Sequence, residues 1–515
     1  MVYISSYLLL VAAFFIGIHL TRSLLHYFSV KRSLRSIPGP NPSSILWGEE
    51  WALYHTAPGS QYVKWHREYG KIVKFRGALG HQALSIIDPR AITYILGEGA
   101  YNFPKPDGVR AWFKATLGEG ILWTEGKELH ERQRRLLAPA MSKQSVRNLT
   151  PLFYETSSRM AASWCKLVEN SNTDQAEVEI TSWAGRFALD TIIIAAFSCD
   201  FGFLSGHHQS LLAAIDGLTN NENKLSSFYM RALFWVFPDI ISIGTKGEMI
   251  RLTKHELGKI ASTMWRDAKI AGDIDRKDLM SLMLRAISDS GDNISEEETV
   301  AQMRTVISAG YETISALIAW VLYELAIHSE IQTHLRKEIV TSGKSELSMD
   351  ELNCLPFLDG VIKETLRLHP PIIENHHQAA ETINLPISEP LTGSTEPQII
   401  IPKGTIIAIP VNVIQTDPSV YGDDAHLFRP ERWLERQKEG IRHGREIFAF
   451  SEGPRACIGK TFALTELKVL VTTLLRQFQF SLSCTHDIEA FQSFVIRPRV
   501  RGEGPSSLPL VIQKI

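Results

Sequence analysis

Hydrophobic and polar positions fall into three successive patterns along the chain. Residues 3–20 read YISSYLLLVAAFFIGIHL, an apolar run that continues weakly through Leu24 and Leu25. That is about the length a helix needs to cross a bilayer. Residues 61–98 mix a helical pattern at 61–69 with short β-like runs at 72–75 and 82–87. From about residue 105, apolar positions recur at helical spacing. Helices are predicted over 126–138, 142–168, 179–198, 207–218, 226–237, 247–270, 277–290, 295–329, 330–342, 349–352 and 355–368. Strand signals return at 398–409 and near 507–514. The pattern predicts a mainly α body with a minor β part, without internal repeats.

Charge refines the first pattern. No Lys or Arg precedes the apolar run, whereas Arg22, Lys31, Arg32 and Arg35 follow it. The positive-inside tendency then keeps the C-terminal side cytosolic. Neither a basic start nor a small-x-small cleavage site is clear, so residues 1–25 are expected to be an uncleaved anchor. Residues 26–48 form a basic, proline-rich hinge, because Ile37-Pro38-Gly39-Pro40-Asn41-Pro42 is stiff and cannot be helical. The sequons at Asn148 and Asn293 would face the cytosol unmodified. A net charge of −2 gives no hint of nucleic-acid binding, and no nucleic-acid partner is expected. Cys165, Cys199, Cys354, Cys457 and Cys484 are odd in number, widely spaced and without a CxxC. They argue against a disulfide framework or structural zinc and for a reducing compartment.

Candidate chemistry concentrates at Phe450-Ser451-Glu452-Gly453-Pro454-Arg455-Ala456-Cys457-Ile458-Gly459, which runs into a helical pattern at 460–476. A thiol at a helix start is expected to have a lowered pKa and to be a good metal ligand. Gly453 and Gly459 let a flat object approach, and Arg455 could meet an anion at its edge. A haem has those properties, and a thiolate is one of its known axial ligands. Upstream, residues 295–328 open on Ser295 with Glu298 three residues on, a capping-box pattern. In their middle stand Ala309, Gly310, Glu312 and Thr313. A mid-helix Gly costs about 1 kcal/mol against Ala. It implies either close helix packing or a local opening where a ligand meets backbone. The acid and threonine could then supply a proton route. Glu364 and Arg367 share one helix face. Arg134 lies one turn past His130 on a basic amphipathic helix, where Arg132 and Arg135 read as a solvated face.

These stretches together resemble the cytochromes P-450, the haem-thiolate monooxygenases, in the style of fungal, membrane-anchored members. Residues 450–459 match F-x-x-G-x-R-x-C-x-G at every fixed position. Ala309, Gly310, Glu312 and Thr313 are similar to A/G-G-x-D/E-T, and Glu364 and Arg367 to the E-x-x-R helix. Phe428 to Trp433 resembles F-x-P-E-R-F/W. His130 and Arg134 stand at the family's W-x-x-x-R, so five motifs occur in family order, and the resemblance covers nearly the whole chain. The resemblance implies the cytochrome P-450 fold over 49–515 and haem b ligated by Cys457, with Phe450 packed near the thiolate. It implies propionate contacts from Arg455, Arg134 and His130, although His130 stands where the family has Trp. His377 stands where many members have a propionate-binding Arg and could replace it. Glu312 and Thr313, with Ala309 and Gly310, would serve oxygen activation, and Glu364, Arg367 and Arg432 would form a structural network. An NADPH-dependent flavoprotein reductase would dock on Arg132, Arg135, Arg445 and Lys460, and the location would be the endoplasmic reticulum. The substrate lining is expected from 104–120, 207–237, 305–313 and 372–377. Trp112, Phe113, Leu117, Ile121, Val306 and Ile372 suggest an apolar small molecule, such as a terpenoid in secondary-metabolite biosynthesis. A P-loop NTPase fails because Gly453 and Gly459 are one residue too far apart. A haem sensor, or a haem-thiolate isomerase or dehydratase, remains the alternative.

Overall fold

The computed structural model describes residues 30–515 except 31, 172, 210–211, 213–224, 272–277, 290–293, 439–446 and 484–485. The anchor expected over 1–25, the first part of the hinge, most of 207–218, Asn293 and Arg445 lie outside the described residues.

Two apolar helices, Ile180–Phe197 and Glu296–Ile327, pack together at the centre. Each is long and hydrophobic enough to cross a membrane, yet their apolar windows are 78% and 72% buried inside the protein. A helix that is hydrophobic all round belongs in a core, and here it is the core of the body itself. Lys460–Leu475 and Lys143–Glu169 pack alongside.

At the start of the long helix, Ser295 Oγ accepts from the Glu298 N–H at 3.1 Å. The reciprocal half of the expected capping box is not made. The Glu298 carboxylate bonds instead to Arg132 and to Gln133 Nε2 (3.1 Å) on the Lys127–Leu137 helix. A charge-assisted bond to a guanidinium outweighs one to a neutral backbone amide. Arg132 is therefore not part of a merely solvated face. A complete capping box forms elsewhere, between Ser348 and Glu351.

The β part comprises four sheets among the described residues. Ile72–Arg76, Gln82–Ile86, Ile406–Pro410 and Glu374–Gln378 form the largest, in that order. The second and third strands run parallel, and His377 lies opposite Ile407 in the antiparallel last pair. Residues 374–378 have polar side chains and no alternation, so their sequence reads as a loop. They become a strand because Ile406–Pro410 is buried along its whole length and must pair on both edges. The single strand signal expected over 398–409 is two strands, Gln398–Ile401 and Ile406–Pro410, divided at Pro402 and at Gly404 with φ +83°. The hinge is not a free tether. The Lys74 N–H donates to the Pro38 carbonyl at 2.8 Å, and Leu34 and Ile37 share a core cluster with Leu84 and Ile86.

Candidate functional site

The cysteine loop is fixed by backbone geometry. Phe448–Phe450 forms one tight turn, Ser451 takes φ +57°, and the Cys457 N–H closes the loop on the Phe450 carbonyl at 2.8 Å. Gly453 has φ +71°, and a Cβ there would lie 1.9 Å from the Leu96 carbonyl oxygen. Its glycine thus serves close approach of two backbones, not approach of a ligand as its sequence context suggests. Gly459 differs, since a Cβ there would meet no protein atom within 4 Å. Cys457 is open to solvent on one side. Burial of the sulfur among protein on its other sides raises its pKa, against the lowering pull of the Gly459 amide, Arg134 and Lys460. The helix start alone therefore does not depress the thiol as its position predicts, because desolvation of the thiolate outweighs it.

Ser451 and Arg455 from this loop line a cavity of about 990 Å³ together with Ser308, Ala309, Glu312 and Thr313 of the long helix. Cysteine loop and acid–threonine pair therefore border one space. Thr313 Oγ1 donates to the Ala309 carbonyl at 2.8 Å. Glu312 is buried and pairs with Arg497 Nη2 at 2.9 Å. Arg497 also reaches Ser315 Oγ at 3.4 Å and lies over the Tyr311 ring. The sequence gives no hint of this partnership.

Gly310 is not at an opening, because the helix runs unbroken from Glu296 to Ile327. A Cβ on Gly310 would lie 2.6 Å from Ile192 Cγ1 on the facing helix, so close helix packing explains the residue. Gly310→Val is expected to destabilise the protein by about 1–3 kcal/mol through overpacking. A urea unfolding midpoint within error of wild type would contradict that.

The expected anion contacts gather around one carboxylate. Arg455 Nη1 donates to the Thr124 carbonyl at 3.3 Å, and Nη2 pairs with Glu125. Its buried Nε has no partner. Lys105 Nζ meets the same Glu125 at 2.9 Å. Arg134 Nη1 donates to the Ala456 carbonyl at 2.8 Å, and His130 Nδ1 meets the Tyr101 hydroxyl at 3.1 Å. His377 Nδ1 lies 3.1 Å from the Phe103 carbonyl. Burial, then Arg455, Lys105 and Arg134, push His130 down to about 4. Burial, aided by Lys105 and Arg455, does the same to His377. Burial and Arg455 lower Lys105 to about 8 against the pull of Glu125. Both imidazoles are thus neutral hydrogen-bonding groups at pH 7, while Arg455 and Lys105 share the single carboxylate of Glu125. Lys105 and Glu125 carry no motif and escaped the sequence reading.

The network around Glu364 is buried. Arg367 Nε and Nη2 donate to the two Glu364 oxygens at 2.9 and 2.8 Å, and Arg432 Nε donates to Oε1 at 3.0 Å. Trp433 Nε1 and the Arg429 N–H add bonds at 2.9 and 3.0 Å. Arg367 also donates to the Gln415 carbonyl at 3.1 Å. Gln415 Oε1 in turn accepts from the Phe448 and Ala449 N–H groups at 2.6 and 2.9 Å. The network thus holds the turn that leads into the cysteine loop.

Of the residues expected to line the pocket, Trp112, Phe113, Leu117 and Ile372 do so. Ile121 and Val306 pack against the core instead. Tyr54, Ile241, Phe491 and Phe494 join the wall from segments the sequence did not single out.

A planar group with two anionic arms fits this donor set. The cysteine lies at an open face, Gly459 leaves room, and a surplus of cations with an unpartnered Arg455 Nε awaits negative charge. Fold and site together define a haem-thiolate oxygenase. Residues 37–501 match the sequence model of the cytochrome P-450 family. The chain is 33% identical over 497 residues to cytochrome P-450 monooxygenase claQ of Ampulloclitocybe clavipes, covering 93% of this chain and 92% of that protein. It is 32% identical over 513 residues to cytochrome P-450 monooxygenase 128 of Postia placenta, covering 93% of each. The chain belongs to the cytochrome P-450 family; its cofactor is haem b with a cysteine thiolate ligand, and it is an oxygen-incorporating monooxygenase.

Proposed function

We propose that this protein is a membrane-anchored monooxygenase that hydroxylates or epoxidises a largely apolar small molecule, such as a terpenoid, in secondary-metabolite biosynthesis. Electrons would come from NADPH through a flavoprotein reductase. The observation that supports it best is that the cysteine loop and the Ala309–Thr313 segment border one mostly apolar cavity. Haem, when bound, supplies oxygen activation and transfer of one oxygen atom, with the thiolate pushing electron density onto iron.

The chain's own residues position and gate. Cys457 would hold the iron, and Arg455, Arg134 and Lys105 would neutralise the propionates, with His130 as a neutral hydrogen-bonding group and His377 as a further candidate. Negative charge there would add to that of Glu125, which Lys105 and Arg455 now share. Thr313 Oγ1 can exchange its bond to Ala309 O for one directed into the cavity, and Glu312, oriented by its pair with Arg497, can take up a proton from solvent and pass it on to replace the one that leaves. Ala309 leaves space beside Thr313. Among the described candidates, Arg135 and Lys460 are exposed cations that would meet an acidic reductase surface, since Arg132 is engaged by Glu298. A haem sensor or an isomerase would need neither Glu312 nor Thr313 at the cavity wall.

Microsomes holding the full-length protein, incubated with NADPH and a panel of terpene scaffolds, should yield products gaining one oxygen by mass spectrometry. Product formation with neither NADPH consumption nor oxygen uptake would sink this reading in favour of the isomerase.

A further inference from the structure

The cavity is not apolar throughout. At one end the Leu225–Leu233 helix places Arg231, the Glu50–His55 helix places Tyr54, and the Glu374–Gln378 strand places Glu374 on the wall. Arg231 Nη2 donates to Glu374 Oε1 at 3.1 Å. The Glu374 side chain is only 10% exposed. Its second oxygen, Oε2, makes no hydrogen bond, with His376 Nε2 at 3.8 Å too distant. The Tyr62 hydroxyl is a neighbouring donor to this carboxylate, and Oε2 is its one oxygen left without a bond. The Tyr54 and Ser227 hydroxyls, also on the cavity wall, are neighbours but not aligned for a bond to each other. A buried acceptor is ordinarily satisfied, so Glu374 Oε2, with two hydroxyls beside it that can turn from each other to a ligand, calls for a group that completes it.

Charge selects the ligand. Arg231 and Glu374 cancel. His376 is held neutral chiefly by burial. Glu50, close enough to feel both members of the pair, is raised to about 8, mainly by burial, and is largely protonated at pH 7. A carboxylate ligand would meet the Glu374 charge with no cation left over, and a hydrocarbon would leave the polar atoms bare. A hydroxyl can both donate to Glu374 Oε2 and accept from Tyr54 or Ser227.

We propose that Arg231, Glu374, Tyr54 and Ser227 form a recognition subsite for an uncharged hydroxyl on an otherwise apolar substrate, so that the molecule is held by an oxygen it already carries. This rests on the monooxygenase reading above, and it specifies the substrate as amphipathic rather than wholly apolar. The substrate must then come from a reaction that installs or releases an alcohol.

The test uses full-length, haem-loaded protein and three probes sharing one carbon skeleton: farnesol, farnesoic acid and farnesene. Binding is read from the shift of the haem Soret band on titration. Wild type should prefer the alcohol to the hydrocarbon by about tenfold or more, the scale of a buried acceptor left unpaired. Glu374→Gln leaves Arg231 uncompensated and should move the preference from the alcohol to the acid by about tenfold. The charge-balanced Arg231→Met/Glu374→Leu pair should bind alcohol and hydrocarbon alike. A wild type without preference for the alcohol, a double variant that keeps it, or Glu374→Gln weakening all three probes equally would each overturn the subsite. Absence of a thiolate-type reduced-CO band would instead overturn the haem-thiolate assignment, so the two failures are distinguishable.

Discussion

Glu364→Ala is expected to remove about 3–5 kcal/mol of folding stability, and with it the capacity to retain haem. Glu364 and Arg367 are fully buried, and Arg432 is nearly so. Alanine would strip two guanidiniums, an indole N–H and a backbone N–H of their shared acceptor at once. An uncompensated buried cation costs far more than the pair contributes, which is why removing one partner is harsher than replacing the whole set. The damage should reach the haem loop, because Arg367 bonds to Gln415, whose side chain orients the amides of Phe448 and Ala449. Haem content per mole of purified protein and the urea midpoint measure both effects. Glu364→Gln, which keeps an acceptor but loses the charge, should fall between alanine and wild type. Full haem content in Glu364→Ala would show that the network does not support the loop.

Cys457→Ser should abolish the reduced-CO Soret band of a thiolate haem and NADPH-dependent product formation, while the apo-protein unfolds within about 0.5 kcal/mol of wild type. The asymmetry follows from location. Cys457 is open to solvent, its thiol has no packing role comparable with Arg367, and the loop is closed by its backbone N–H, which serine retains. Persistence of the band would show that another residue ligates the iron. A large loss of apo-protein stability would show that the sulfur is structural.

Local pattern carried the reading far. Helical periodicity located the core helices to within a few residues, since an all-apolar helix and an amphipathic one differ in the order of side chains along the chain. Residues 450–459 declared themselves because every residue type needed to build the loop lies within ten positions. Glu364 and Arg367 were visible as neighbours on one turn, and Arg432 through its own short motif.

What lay beyond the sequence has a common cause. Strand Glu374–Gln378 carries no strand pattern and exists only because Ile406–Pro410 needs an edge partner. Glu312 meets Arg497 across 185 residues, and Arg455 meets Glu125 across 330. Arg231 meets Glu374 across 143, which turns an expected apolar pocket into one with a polar end. Gly310 and Gly453 look like ligand-binding glycines until the positions of Ile192 and the Leu96 carbonyl are known. The sequence alone determined the cofactor class and the mainly helical body, and singled out Cys457 as the candidate ligand, because those depend on residue type and short-range spacing. The tertiary structure alone decided which charges meet, which glycines are steric and where the cavity turns polar. A buried charge reveals that it needs a partner, but only packing selects which distant residue supplies it.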